Sequence, residues 1–280
     1  MFNHIKTMIL MVILTVILMI AGELLLGDGG MLIAFGIALV INFFAYWYSD
    51  KVAITMTRSH PLKEGEAPQV YDAVKRLVQN SNLPMPRIYL MPTDQPNAFA
   101  AGRNPANSVV AVTQGLVRML NQQELEGVLA HEIAHIRNRD ILVSTMAAVI
   151  AGALMLISRF GMYGMIFGGR REGGHPVMLL VKLAAMILAP LAAILIRMAI
   201  SRTREYQADA TGAMISGNPE GLASALQKME SYARNRPLQV NEAASHMFII
   251  NPLSARGISG LFSTHPPIRE RVKKLRSMNR

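Results

Sequence analysis

The stretch VLAHEIAHIRNRD, residues 128–140, contains two histidines four residues apart and a glutamate beside the first of them. Residues four apart on an α-helix lie on the same face, so His131 and His135 can bind one metal ion through their imidazole nitrogens. Glu132 lies within reach of a water molecule on that metal and can take its proton. The alternative interpretation of so short a pattern is an ordinary polar helix.

A second short motif offers a third ligand. The sequence SRTREYQADATGA, residues 201–213, places Glu205 and Asp209 four residues apart, again on one helical face. Glu205 would complete a set of two histidines and one glutamate with an open fourth position, as in catalytic zinc sites. Asp209 would accept the second ring N–H of a ligand histidine, for which we expect His131. An exposed helix with two acids is the alternative for this segment.

Composition indicates a membrane protein. Of 280 residues, 51% are hydrophobic and only 16% are charged, whereas soluble domains have roughly 25% charged residues. Lys and Arg number 28 against 18 Asp and Glu, an excess that fits an anionic membrane surface. No basic run is interleaved with aromatic residues, so we expect no nucleic-acid partner. Cysteine is absent, which leaves histidine and carboxylate as the metal ligands.

The hydrophobic residues fall into four apolar runs, residues 8–26, 31–48, 141–160 and 176–200. The first two are joined by the turn GDGG and end at the interfacial pair Trp47-Tyr48, which predicts a transmembrane hairpin. A signal peptide is the competing interpretation of the first run, but no clear small-x-small cleavage site follows it. The last two runs predict a second hairpin that either spans the bilayer or is buried or shallow.

The polar segments predict a mixture of helices and short strands. Helical periodicity covers Pro68 to Asn80 and Gln122 to Arg139, and Asn218-Pro219 and Ile268 mark the starts of two more helices. Asn121 is the expected N-cap of the Gln122 helix, with Glu124 at the third position as in a capping box. Residues 87–91 and 109–113 are strand-like. The positive-inside rule places the N-terminus and both polar segments in the cytoplasm, although three arginines near the third link argue weakly against this.

The metal motifs carry a resemblance to a known family. HEIAH (131–135) with EYQAD (205–209), NAFA (97–100), the apolar pairs and STHPPIRER (263–271) together resemble the HtpX-like integral-membrane zinc metalloproteases. That gluzincin family also includes the CaaX prenyl endoproteases. The resemblance covers nearly the whole chain and has no departure at the metal-site residues.

The resemblance implies a mainly α membrane protein with four hydrophobic helices and a cytoplasmic α+β gluzincin-type protease domain containing a small β-sheet. The expected organisation is a transmembrane hairpin at 1–48, a protease domain formed by 49–140 and 201–280, and a second hydrophobic hairpin at 141–200. The implied activity is a zinc endopeptidase of the bacterial inner membrane with one Zn²⁺ per chain. It would degrade misfolded or damaged membrane proteins alongside an ATP-dependent membrane protease.

Further site residues depend on that resemblance. Asn97, Ala98, Phe99 and Ala100 would form an edge strand that binds extended substrate through main-chain hydrogen bonds; a short loop with one buried Phe is the alternative. His265 either donates to the developing oxyanion, as a catalytic residue, or belongs to a turn before the last helix. Arg269 and Arg271 either reach a carboxylate such as Asp209 or, as we favour, are solvated.

Three rival functions are open at this level. A membrane scaffold or adaptor could carry an incidental or inactive HExxH pattern, although the intact Glu132 and the matching Glu205 disfavour it. An enzyme of the CaaX type would act on prenylated peptides. A polytopic transporter is the weakest alternative, because the four apolar runs show no repeat symmetry.

Overall fold

The computed structural model describes residues 2–26, 29–146, 202–235 and 266–278. This part of the chain is mostly helical and contains one small mixed sheet of four strands. The predicted combination of many helices with a small sheet is therefore confirmed. Most of the second pair of apolar runs, from residue 147 onward, lies outside the described residues, so the predicted second hairpin is not tested.

The N-terminal helices α1 (Phe2–Leu26) and α2 (Gly30–Trp47) pack against each other as a hairpin. They approach closely at Gly22, where a Cβ atom would lie 2.4 Å from the Ala34 Cβ and 2.5 Å from the carbonyl oxygen of Gly30. Small residues permit such close packing between apolar helices. The Asn42 amide donates to the Thr15 hydroxyl across the hairpin at 2.9 Å.

The outer surface of this hairpin is apolar. Among the described residues, α2 is the one helix long and apolar enough to cross a membrane by length and composition, and Ile5–Ile20 of α1 is a shorter apolar stretch. Large side chains on both helices are exposed, including Val12, Leu32 and Phe43. Lipid can cover such a surface, whereas water would leave it unfavourably exposed. The number of membrane crossings stays a prediction.

The sheet contains β1 (His60–Pro61), β2 (Arg87–Met91), β3 (Ala98–Gly102) and β4 (Ser108–Thr113), in the order β1-β2-β4-β3. Strands β2 and β4 are parallel, and the two outer strands pair antiparallel. The sequence predicts β2 and β4 and correctly places an edge strand near residue 98. It does not predict β1, which has only two residues.

Seven further helices lie wholly within the described residues and pack on the sheet or on one another. They are α3 (Ser49–Met56), α4 (Pro68–Ser81), α5 (Gln114–Met119), α6 (Gln122–Arg137), α7 (Arg202–Ser216), α8 (Pro219–Asn235) and α9 (Ile268–Ser277). A short 3₁₀ turn, Pro105–Asn107, precedes β4. The start of α6 is fixed by the predicted capping box, in which Asn121 and Glu124 exchange hydrogen bonds of 3.0 Å.

One hydrophobic core joins the polar segments on either side of the second apolar pair. It includes Val74 and Leu77 of α4, Val128 of α6, Leu226 of α8 and Leu275 of α9. Helix α6 lies at its centre and packs against α4, α7 and α8. At Gly212 of α7, a Cβ atom would lie only 3.0 Å from the backbone nitrogen of His131, so a side chain there would push α7 away from the metal motif.

Candidate metal centre

The two histidines and the glutamate of the sequence motifs meet between α6 and α7. The Nε2 atoms of His131 and His135 lie 3.1 Å apart. The Glu205 carboxylate oxygens each lie 3.7 Å from one of these nitrogens, and the three potential ligand atoms fall within 4.8 Å of one another. Two nitrogens bound to one tetrahedral zinc at 2.0–2.1 Å lie about 3.3 Å apart, so this spacing suits a metal ion.

An aspartate and an arginine hold the ring of His131 from behind. Asp209 Oδ1 lies 3.0 Å from His131 Nδ1, which leaves Nε2 to face the metal position, as expected from the sequence. Arg271 of α9 donates to both Asp209 oxygens, from Nε at 2.9 Å and from Nη2 at 2.7 Å. The interpretation of Arg271 as solvated is wrong, because its side chain is fully buried; Arg269 is exposed.

A different aspartate holds the ring of His135. The Asp140 oxygens lie 3.0 and 3.1 Å from His135 Nδ1, and Asp140 is almost fully buried. The chain reaches this position because Arg139, at the end of α6, adopts a left-handed backbone with φ 56°. Sequence reasoning missed Asp140. The available signal was an acid five residues after the second histidine, immediately before an apolar run.

The buried charges set the protonation of the site. Burial lowers the pKa of His131, but its hydrogen bonds to Asp209 and Glu205 outweigh burial and raise it overall. Burial also lowers the pKa of His135, but the negative charge of Asp140 outweighs burial and raises this pKa to about 10. Burial works against ionisation of Asp209, yet the Arg271 guanidinium holds its pKa at about 2. Burial raises the pKa of Glu132.

The charge balance fits a divalent cation. Among the described residues, four buried carboxylates and two buried guanidinium groups surround the histidines: Glu132, Asp140, Glu205, Asp209, Arg204 and Arg271. With both imidazoles neutral, this set has two more negative than positive charges. A metal ion of charge two would neutralise it, whereas the raised histidine pKa values show that protons would compensate in its place. The residues present therefore fit a bound zinc ion.

Glu132 faces the outer edge of the sheet. Its carboxylate accepts the main-chain N–H of Ala100 in β3. Residue 97 pairs with Thr113 of β4, because the Thr113 N–H donates to the Asn97 carbonyl at 2.9 Å. Main-chain groups in an antiparallel pair alternate between the two sides. Ala98, Ala100 and Gly102 therefore point outward, on the side where Glu132 lies.

The structure divides the four residues predicted to bind substrate. The main-chain groups of Asn97 and Phe99 point towards β4, and the Phe99 side chain is buried in a core with Ala53 of α3. Only Ala98 and Ala100 offer outward groups. The alternative prediction, a short loop with one buried Phe, is wrong about the loop, because residues 98–102 form a strand. It is correct that the Phe99 side chain is buried. His265 lies outside the described residues.

A helix that presents two histidines and a glutamate, completed by a glutamate from a neighbouring helix and lying beside the edge strand of a sheet, is the arrangement of a metallopeptidase. The model of peptidase family M48 matches residues 64–279. The chain therefore belongs to peptidase family M48, and this family implies a bound metal.

Relatives extend the similarity over the full length. A protein described as a protease HtpX homolog from Pelotomaculum thermopropionicum is 56% identical over 278 residues, covering 99% of each chain. Another protease HtpX homolog, from Thermococcus sibiricus, is 51% identical over 98% of this chain and 95% of its own. The solved structure of S. mikatae Ste24p shares the fold at 20% identity, with a TM-score of 0.50 over 85% of this chain and 56% of that one. The predicted HtpX-like family is thereby confirmed, and the chain is a membrane metalloprotease.

Proposed function

We propose that the protein is a zinc-dependent endopeptidase of the bacterial inner membrane, with one Zn²⁺ held by His131, His135 and Glu205. The observation that carries this proposal is the convergence of the two Nε2 atoms, 3.1 Å apart, on a carboxylate from another helix. The scaffold alternative requires an incidental motif. It gives no reason for a matching Glu205 or for buried aspartates behind both histidines.

Glu132 is the proposed general base. When bound, zinc supplies a Lewis acid that polarises a peptide carbonyl and makes water more acidic. The Glu132 carboxylate takes the proton of the attacking water and passes it to the leaving amine. Its pKa is raised by burial, which makes it a stronger base than an exposed glutamate. The Ala100 N–H fixes the carboxylate on the substrate side of β3.

The outward edge of β3 is the proposed substrate-binding surface. No strand pairs with this edge in the parts of the chain that the structure describes. An extended polypeptide can add there through outward main-chain groups that Glu132 leaves free, such as the Ala100 carbonyl, which requires little sequence specificity. His265 stays a candidate donor to the oxyanion.

Low specificity suits a protease that removes misfolded or damaged membrane proteins, and we propose this quality-control role from the resemblance to HtpX-like enzymes. The catalytic face would be cytoplasmic, with residues 49–140 and 201–280 forming one protease domain. Four hydrophobic helices, at 1–48 and 141–200, would anchor it in the lipid bilayer. Cooperation with an ATP-dependent membrane protease is part of the same proposal, because the chain has no P-loop pattern of its own.

Proteolysis of a misfolded membrane protein in detergent tests the activity. We expect cleavage that a chelator abolishes and added zinc restores. The variant Glu132→Gln should lose cleavage, whereas Glu126→Gln on the exposed side of the same helix should keep it. Cleavage that survives both the chelator and Glu132→Gln would sink the proposal.

A further inference from the structure

The end of the edge strand lies against the end of the membrane helix. Arg103 directly follows β3, and its guanidinium stacks over the ring of Trp47 at 4.3 Å from the ring centroid. Trp47 is the last residue of α2, and tryptophan at the end of an apolar helix characteristically lies at the membrane–water interface. The Gly102 end of β3 is therefore its membrane end, and Ala98 is its distal end.

A short helix fixes the distance between α2 and the sheet. Helix α3 begins two residues after Trp47. Its Ala53 packs in one cluster with Phe99 and Ala101 of β3, and its Asp50 forms an ion pair with Arg87 of β2. Through these contacts to two strands, α3 ties the end of the membrane helix to the substrate edge of the sheet.

The catalytic base lies a short and definite distance from that interface. Glu132 accepts the N–H of Ala100, three residues before Arg103. Extended strands rise by about 3.3 Å per residue, which places Glu132 at most about 10 Å from the level of the Trp47 ring. An extended substrate beside β3 covers this distance in about three residues.

We infer that the enzyme cleaves extended polypeptide immediately next to a transmembrane helix, at a distance set by Arg103, Trp47 and the Glu132 position. The inference rests on the proposed function and adds its substrate class. Segments that leave the bilayer next to α2 reach the edge of β3 directly. The bond at Glu132 then lies about three to five residues from the end of the substrate's helix, the upper value allowing for the interfacial layer.

The inferred cleavage distance can be tested with a designed substrate, called here the ruler substrate. It consists of one transmembrane helix followed by a repetitive linker of chemically equivalent peptide bonds, reconstituted with the full-length zinc-loaded protein in phospholipid vesicles. The linker follows the helix, because a substrate strand antiparallel to β3 would run away from the membrane. Mass spectrometry of the fragments should show cuts clustered about three to five residues beyond the helix. A uniform distribution of cuts, or a cluster far along the linker, would overturn the inference.

Three further measurements separate this inference from the proposed function. The linker peptide without its helix should be cut at many bonds. If both substrates are cut with uniform distributions, the inferred distance is wrong and the proposed activity stands. If neither substrate is cut, the proposed activity is wrong as well. Arg103→Ala should broaden the cut distribution on the ruler substrate with no loss of rate on the free linker. Lys51→Ala, which removes a cation over Tyr48 at the same level but not at the strand end, should leave the cluster in place. An unchanged cluster in Arg103→Ala would contradict the role of that contact.

Discussion

The two histidines of the metal centre are held in different ways. His131 is held by Asp209 and Arg271, from two helices that lie far from it in sequence. His135 is held by Asp140, five residues further along the same chain segment. The first arrangement depends on the tertiary packing of α7 and α9. The second depends mainly on the turn at the end of α6, directly before the third apolar run.

Because of this difference, the position of His131 depends on the tertiary fold, whereas the position of His135 depends mainly on local geometry. Loss of a contact behind His131 should disturb both stability and metal binding, because it leaves a charge buried without its partner. Loss of the contact behind His135 should affect metal binding more than stability.

The largest expected effect follows Arg271→Ala. Removing one partner of a buried ion pair costs about 3–5 kcal/mol, because the Asp209 charge is left buried and uncompensated. We expect a large fall in unfolding temperature in detergent and loss of bound zinc. Arg269→Ala, an exposed neighbour on α9, is the matched control and should behave as wild type. Wild-type stability in Arg271→Ala would contradict the conclusion that Asp209 and Arg271 hold His131 in place.

A smaller and more selective effect is expected for Asp140→Asn. Asparagine keeps a hydrogen-bond acceptor for His135 Nδ1 but lacks the charge, and such changes behind a ligand histidine weaken metal binding about 10- to 100-fold. Zinc affinity measured against a competing chelator should fall, while the unfolding temperature of the metal-free protein falls less than that of Arg271→Ala. The exposed Arg137→Gln serves as control. Equal losses of stability in Asp140→Asn and Arg271→Ala would contradict the difference between the contacts behind His131 and those behind His135.

The pH dependence of metal stabilisation distinguishes protons from zinc at His135. Its pKa is raised to about 10, so protonation stabilises the metal-free fold fully below about pH 6.5, and this stability is lost as the pH rises through about 10. Zinc requires neutral imidazole, so its stabilising effect grows over the same range. A chelator should therefore lower the unfolding temperature more at pH 9 than at pH 6. The opposite trend, or none, would argue against His135 as a metal ligand.

The smallest effect is expected at the surface of α9. Arg276 pairs with Glu220 at 2.7 Å, but both side chains are nearly half exposed, and exposed pairs contribute little. Arg276→Gln should keep wild-type zinc content and unfolding temperature. A loss as large as that of Arg271→Ala would show that α9 is held by its surface contacts instead of its buried arginine.

Local signals explain what could be predicted from the sequence. Helical periodicity located α4 and α6, the capping box located the start of α6, and two motifs with four-residue spacing supplied the ligands that the structure brings together. The periodicity, the capping box and the spacing within each motif depend on residues close to one another in the chain, so they follow from helix geometry. The meeting of the two motifs was expected from the ligand set that a catalytic zinc requires.

Long-range contacts explain what could not be predicted. Arg271 lies in an amphipathic helix among exposed basic residues, and nothing local separates it from them; its partner is 62 residues away. The contact of Arg103 with Trp47 likewise joins residues from different elements. Asp140 is an intermediate case, because it lies close to His135 in sequence but reaches it only through the left-handed residue Arg139.

The most direct test of the metal centre is the zinc content of two glutamate variants. Glu205→Gln removes the charge of a proposed ligand, whereas Glu132→Gln removes the proposed base and leaves the ligands intact. We expect one zinc per chain in the wild type and in Glu132→Gln, which should nevertheless be inactive. We expect little or no zinc in Glu205→Gln. Full zinc content in Glu205→Gln, or its loss in Glu132→Gln alone, would contradict the assigned roles.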